Sequence, residues 1–220
     1  MLGDLLYDYC WVTVLIWAVI YYADYYLSMV GEDLLKQGAN KFINIERGYE
    51  LTRLFVSDVS KKRLLSPRFV LLLLLTIGSV LFVRFIPESP YWFDSKIHRG
   101  LFEFIVGAFL LMEAPLLIQH VQNIFVFRYG VSRQGLLGHL EYARWLSHGM
   151  VSVYAFCFVL LFLGCFLVTS SFFLAGGAYG CLVNSIAHFR LMRKHLKEKP
   201  ITKIDASGAA GQSPFEQVGS

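Results

Sequence analysis

Charge is scarce in this 220-residue chain: Asp, Glu, Lys and Arg make up 16% of it, against a usual share of about 25%. Also missing are the short signatures that announce common chemistries. The sequence has no HExxH, no GxSxG, no Walker-type phosphate loop and no CxxC pair. These absences remove the familiar zinc hydrolases, serine hydrolases, NTPases and zinc ribbons, so no catalytic residue, cofactor or metal is assigned. The two-halves pattern of interrupted helices found in many secondary transporters is lacking too. A net charge of +4 is not a signal for nucleic acid. The four cysteines (Cys10, Cys157, Cys165, Cys181) stand singly within apolar runs, where a thiol behaves as a small hydrophobe.

Apolar residues fill the space that charge leaves. They reach 56% of the chain, above the usual ~45–50%, and they come in long uninterrupted runs. About 18 such residues suffice to cross a ~30 Å hydrocarbon layer as a helix. Five runs qualify, at about 10–30, 69–86, 101–121, 150–168 and 172–189. The expected fold is therefore an all-α integral membrane protein, a bundle of about five transmembrane helices over residues 1–197. The break Thr169-Ser170-Ser171 is read as a tight turn, because one continuous helix of ~40 residues would exceed what a bilayer needs. A flexible tail is expected over 198–220, where small and polar residues leave little to bury.

Basic residues set the expected orientation. They crowd the 31–68 loop, thin out between Pro87 and Gly100, return at Arg128, Arg133 and Arg144, vanish at the fourth connection and return from Arg190 onward. That alternation places the N-terminus outside and the C-terminus in the cytoplasm, in a plasma (inner) membrane. The stretch before the first span carries Asp4 and Asp8 and no basic residue, so that span is expected to stay uncleaved. Tyr91-Trp92-Phe93 suits an anchor at the outer headgroup layer. Within the long loop, NKFINIERGYELTRLF alternates loosely, as a short hairpin or interfacial segment would, and KKRLLSPR suits anionic headgroups. GANKFINIERGYELT and QHVQNIFVFR stand out as motifs to which no activity attaches.

Polar groups inside the runs are the candidate site, since a carboxylate at a helix centre costs ~2.5–3.5 kcal/mol on insertion scales. Asp24 (in YYADYY), Glu113 (in GAFLLMEAPLLIQH) and Asn184 fall roughly 3–6 Å to the cytoplasmic side of their span centres. One intramembrane polar layer is expected, with a Tyr–Asp hydrogen bond beside it. Beneath it, His120, Arg144, His148 and His188 form a second layer near the cytoplasmic ends of the spans. Pro115 has no N–H for the Leu111 carbonyl, so a kink and a free acceptor are expected within a turn of Glu113. Gly176 and Gly180 make a GxxxG stripe on which the fifth span packs closely, within the chain or as a homo-oligomer.

Together these features point to a small polytopic protein acting as a non-enzymatic subunit or scaffold of a membrane complex. Its expected partners are the lipid bilayer and another membrane or cytoplasmic protein. The alternatives are a proton- or cation-handling transporter or channel component using Asp24 and Glu113, and an intramembrane enzyme acting on lipid.

Overall fold

A computed structural model describes residues 2–45, 55–86, 95–130 and 140–198. It is dominated by helices: α1 Leu2–Asp8, α2 Cys10–Lys36, α3 Val56–Ser60, α4 Pro67–Phe85, α5 Ser95–Phe125, α6 Arg144–Thr169 and α7 Phe172–Glu198. Five of them (α2, α4, α5, α6, α7) are long and apolar enough to cross a membrane. Most outrun the apolar runs, α2 to Lys36 and α7 to Glu198, because the backbone ladder need not stop where hydrocarbon stops. Leucine, valine and phenylalanine side chains such as Leu71, Leu74, Phe82, Leu160 and Val168 face outward, the inverse of a water-soluble bundle.

Local chemistry sets the helix ends. Ser66 accepts a hydrogen bond from the Phe69 amide at 3.0 Å, and Pro67 follows as the first helical residue of α4, where its missing N–H is harmless. The α6–α7 connection is the tight turn expected from Thr169-Ser170-Ser171. Ser170 adopts the left-handed conformation with φ 53°, and its amide caps the Phe166 carbonyl at 2.7 Å.

Packing makes α5 and α7 the axis of the bundle. α7 packs along both α5 and α6, α2 packs on α5, and α4 lies against α2 and α5. The contact order shows direction: Gly180 meets Ala108 and Cys181 meets Leu111, so α7 runs parallel to α5. Trp17 meets Phe109 and Ser28 meets His120, so α2 does the same. α6 returns antiparallel, joined to α7 by reciprocal bonds in which Ser152 Oγ and Ser185 Oγ each donate to the other's carbonyl at 2.9 Å. Hydrogen bonds between membrane helices average ~0.6 kcal/mol. Ser152→Ala combined with Ser185→Ala is therefore expected to destabilise by about 1 kcal/mol, read as a small fall in detergent melting temperature.

The end of the bundle carrying Lys36, Lys61, Lys62, Arg193 and Lys197 (the basic end) has a folded layer of its own. A 3₁₀ turn at Ala39–Lys41 leads into β1, Ile43–Ile45, which pairs in parallel with β2, Leu140–Tyr142. Of the stretch 40–55, expected as a short hairpin or interfacial segment, Ile43–Ile45 thus pairs outside it. β1 takes its partner from the connection before α6, a non-local pairing that no nearby turn residue announces. α5 continues past Phe125 as a π-helical segment, Val126–Gly130. The rest of the expected hairpin (46–54), the Tyr91-Trp92-Phe93 anchor, Arg133 and the tail from 199 lie outside the described residues.

Candidate functional site

Glu113 lies on the side of α5 that faces α2 and is only 3% exposed. Its Oε2 has no hydrogen-bond partner among the described residues. It lies within electrostatic range of Asp24, and both carboxyls are in range of the Tyr21 hydroxyl. Asp24 in turn stands 3.1 Å from His120 Nε2, a close contact that is not aligned as a hydrogen bond. Ser28 Oγ, one helical turn further along α2, lies 3.4 Å from the same nitrogen. Two parallel helices thus put Glu113, Asp24 and His120 on one interface, in order toward the basic end.

His120 lies below both carboxyls and at the same time touches Asp24. With Ser28 level with His120, Asp24 is level with residue 116 of α5, about a turn below Glu113 and a turn above His120. The carboxylate and the imidazole each reach toward the other across that gap. The expected Tyr–Asp hydrogen bond is not formed among the described residues. Tyr25 donates to the Arg63 carbonyl at 2.7 Å, and Tyr21 is stacked between Trp17 and Phe69 at centroid distances of 5.2 and 5.1 Å.

Asn184 shares the depth of the carboxylates without joining them. The pairings of Gly180 with Ala108 and Cys181 with Leu111 set it level with residues 112 to 114 of α5. It belongs, however, to α7, which packs on the Leu111 side of α5, while Glu113 and His120 face α2. Its Nδ2 is buried without a partner among the described residues.

Pro115 is fully buried inside an α5 that continues without interruption. The Leu111 acceptor it leaves free is taken up by the Cys181 thiol, which donates to it at 3.6 Å. Cys181 is 0% exposed, so its role is local: it satisfies the acceptor that a helical N–H would otherwise have filled. The Gly176–Gly180 stripe faces α5 of the same chain. A Cβ on Gly176 would overlap the Phe104 carbonyl, and one on Gly180 the Ala108 carbonyl. Gly107 on α5 answers them, its α-carbon set against the Phe173 carbonyl.

The remaining polar residues gather between α6 and α7 at the basic end. His148 and His188 meet Nδ1 to Nδ1 at 3.1 Å, and Arg144 is in electrostatic range of His188. A third histidine, His195, stacks parallel on His148 at 5.5 Å. Hydropathy does not point to His195, because it lies beyond the apolar run; its i+7 spacing from His188 is the one trace it leaves in the sequence. Among the described residues, no group of three or more His, Cys, Asp and Glu could hold a metal ion.

Two further clusters have no hydropathy signal. At the end opposite the basic one, the Tyr7 hydroxyl lies 3.1 Å from Nδ1 of buried His98, and the Arg84 guanidinium covers the Tyr7 ring at 4.1 Å. At the basic end, a cavity of about 570 Å³ is walled by β1, the last turns of α5 and the first turns of α6. Its lining draws on both motifs that stood without an activity: Ile43 and Ile45 from the first, Gln119 to Phe127 from the second. No protein-family model, curated protein or solved structure matches the chain.

Proposed function

We propose that this protein is a proton-handling component of a membrane complex, with its N-terminus outside and its basic end in the cytoplasm of a plasma (inner) membrane. The observation that supports the reading is the Asp24–His120 contact lying below the buried Glu113 oxygen, which has no hydrogen-bond partner among the described residues. Ionisable groups in such positions are the usual parts of proton relays, and imidazole exchanges protons near neutral pH. In this reading Glu113 is the deep site that binds and releases the proton. Asp24 and His120 carry it to the cytoplasmic surface, with Ser28 holding the imidazole. The bundle's contribution is to bury Glu113 and to hold Asp24 within electrostatic range of it.

The test is proton flux into liposomes containing the purified protein alone, followed with an internal pH dye. Asp24→Asn and His120→Gln are each expected to slow flux by about a hundredfold, the lower end of what positioned proton-transfer groups contribute. Ser28→Ala is expected to retain most of it. Wild-type flux no greater than that of empty liposomes would sink the reading.

A non-enzymatic subunit or scaffold is the second reading, favoured by the folded layer of 3₁₀ turn, β1 and β2 at the basic end. If the liposomes are silent and one protein co-purifies at fixed stoichiometry from native membranes, the second reading replaces the first.

A further inference from the structure

The cavity at the basic end lies toward α6, away from the α2-facing side of α5 that carries Glu113 and His120, so the proton path makes no use of it. Its existence follows from the packing. α5 and α6 both lie along α7 but touch each other little, so a gap opens between them where α5 ends and α6 begins. β1 closes the far wall, and the π-helical turn at Val126–Gly130 carries Val126 and Phe127 into the lining.

The lining changes character along its length. Ile43, Val126 and Phe127 supply an apolar wall, while Gln119, Gln122, Asn123 and Ser147 supply neutral donors and acceptors. No charged side chain lines it among the described residues. Val121, Phe125 and Met150 belong both to the lining and to the exposed outer surface, so the gap communicates with the surroundings of the bundle between two spans. Val121 and Met150 also mark where the apolar runs end, which puts the cavity at the boundary between hydrocarbon and headgroups. Three cations neighbour its lining residues along the chain. Lys41 lies two residues before Ile43, Arg128 follows Phe127, and Arg144 is one turn before Ser147.

We propose that this cavity is a binding site for an anionic phospholipid of the basic-end leaflet. One acyl chain fills the apolar part, the ester carbonyls meet the amides of Gln122 and Asn123 and the Ser147 hydroxyl, and the phosphate lies toward Arg128 and Lys41. The order apolar, neutral-polar, cationic repeats the order chain, ester, phosphate of the lipid. The volume suits a single ligand, since small-molecule sites span roughly 300–1,000 Å³, and cations beside a span attract acidic headgroups by ~1 kcal/mol each. A protein partner would have to enter from the side, between two spans, where lipid is already present.

Native mass spectrometry of the full-length protein, titrated with phosphatidylglycerol and with phosphatidylcholine of identical chains, tests the site. Phosphatidylglycerol is expected to be retained preferentially as a single adduct. Met150→Trp, which fills the cavity, is expected to lower its retention at least about tenfold. Arg128→Gln with Lys41→Gln is expected to lower it by about thirtyfold, from ~1 kcal/mol per charge, while leaving phosphatidylcholine unchanged. Both cations are exposed, so this pair decides the matter even if Met150→Trp fails to fold. Equal retention of the two lipids, insensitive to the charge pair, would mean surface lipid only and overturn the proposal. So would a protein chain held at the cavity and displaced by Met150→Trp. Glu113→Gln is expected to leave lipid retention unchanged, so failure here and failure of the proton reading are separate results.

Discussion

Glu113→Gln is expected to lower proton flux by about a hundredfold or more, to the level of empty liposomes, without loss of folded protein. The substitution keeps the volume and one acceptor of the side chain while removing the group that titrates. Glu113 is buried, one of its oxygens is unpartnered among the described residues, and a second carboxyl lies in electrostatic range. A charge held there is unfavourable by ~2.5–3.5 kcal/mol on insertion scales. The melting temperature of the glutamine variant should therefore equal or exceed that of the wild type. Loss of flux with retained stability separates a proton-binding role from a structural one. A carboxyl that merely held helices together would show the opposite pattern, with stability falling and flux following it. Glu113→Leu sharpens the contrast, since it too should be silent in flux while remaining folded. Flux at wild-type level in the glutamine variant would exclude Glu113 as the proton site.

The parts of this molecule that hydropathy could reveal are those governed by solvent. Each of the five helices long and apolar enough to cross a membrane is an apolar run, the composition and internally bonded backbone that hydrocarbon requires. Asp24, Glu113 and Asn184 stand out in the sequence for the same reason, as polar residues within apolar runs. Which of them meet was not legible, because depth says nothing about helix face or neighbour. His120 joins Asp24 through the packing of α2 on α5, and Asn184 lies across α5 through the packing of α7; neither choice is written in a single span. The β1–β2 pairing is three residues long and spans almost a hundred positions of chain, so no local period or turn signals it. Cys181 shows the limit in the other direction. Pro115 announced a free Leu111 carbonyl, and only the register of α7 could say that a thiol would fill it.

That register depends on glycine, and Gly176→Val is the substitution expected to damage the fold most. A Cβ at Gly176 would fall on the Phe104 carbonyl and crowd the Ala108 amide, and both are backbone atoms that no rotamer change can move. The helices would have to separate along their whole contact. Overpacking of a core typically costs 1–3 kcal/mol and sometimes more. A β-branched side chain against backbone belongs at the upper end, so a loss of about 3 kcal/mol or more is expected. Gly107→Val should behave alike, since its Cβ would overlap the Phe173 carbonyl. Gly177→Ala should be milder than these, because it meets Leu111 side-chain atoms and not backbone, but still destabilising, since the Leu111 Cβ at 2.7 Å cannot rotate away. Gly164→Ala has nothing within 4 Å and should be neutral or stabilising by up to about 1 kcal/mol through helix propensity. Detergent melting of the four variants should rank them in that order. Separation of α5 from α7 would also withdraw Cys181 from Leu111 and leave Pro115 with an unsatisfied carbonyl beside it. The packing stripe and the proline thus stand or fall together, and a Gly176→Val variant that melts with Gly164→Ala would show that the close α5–α7 contact does not hold the bundle.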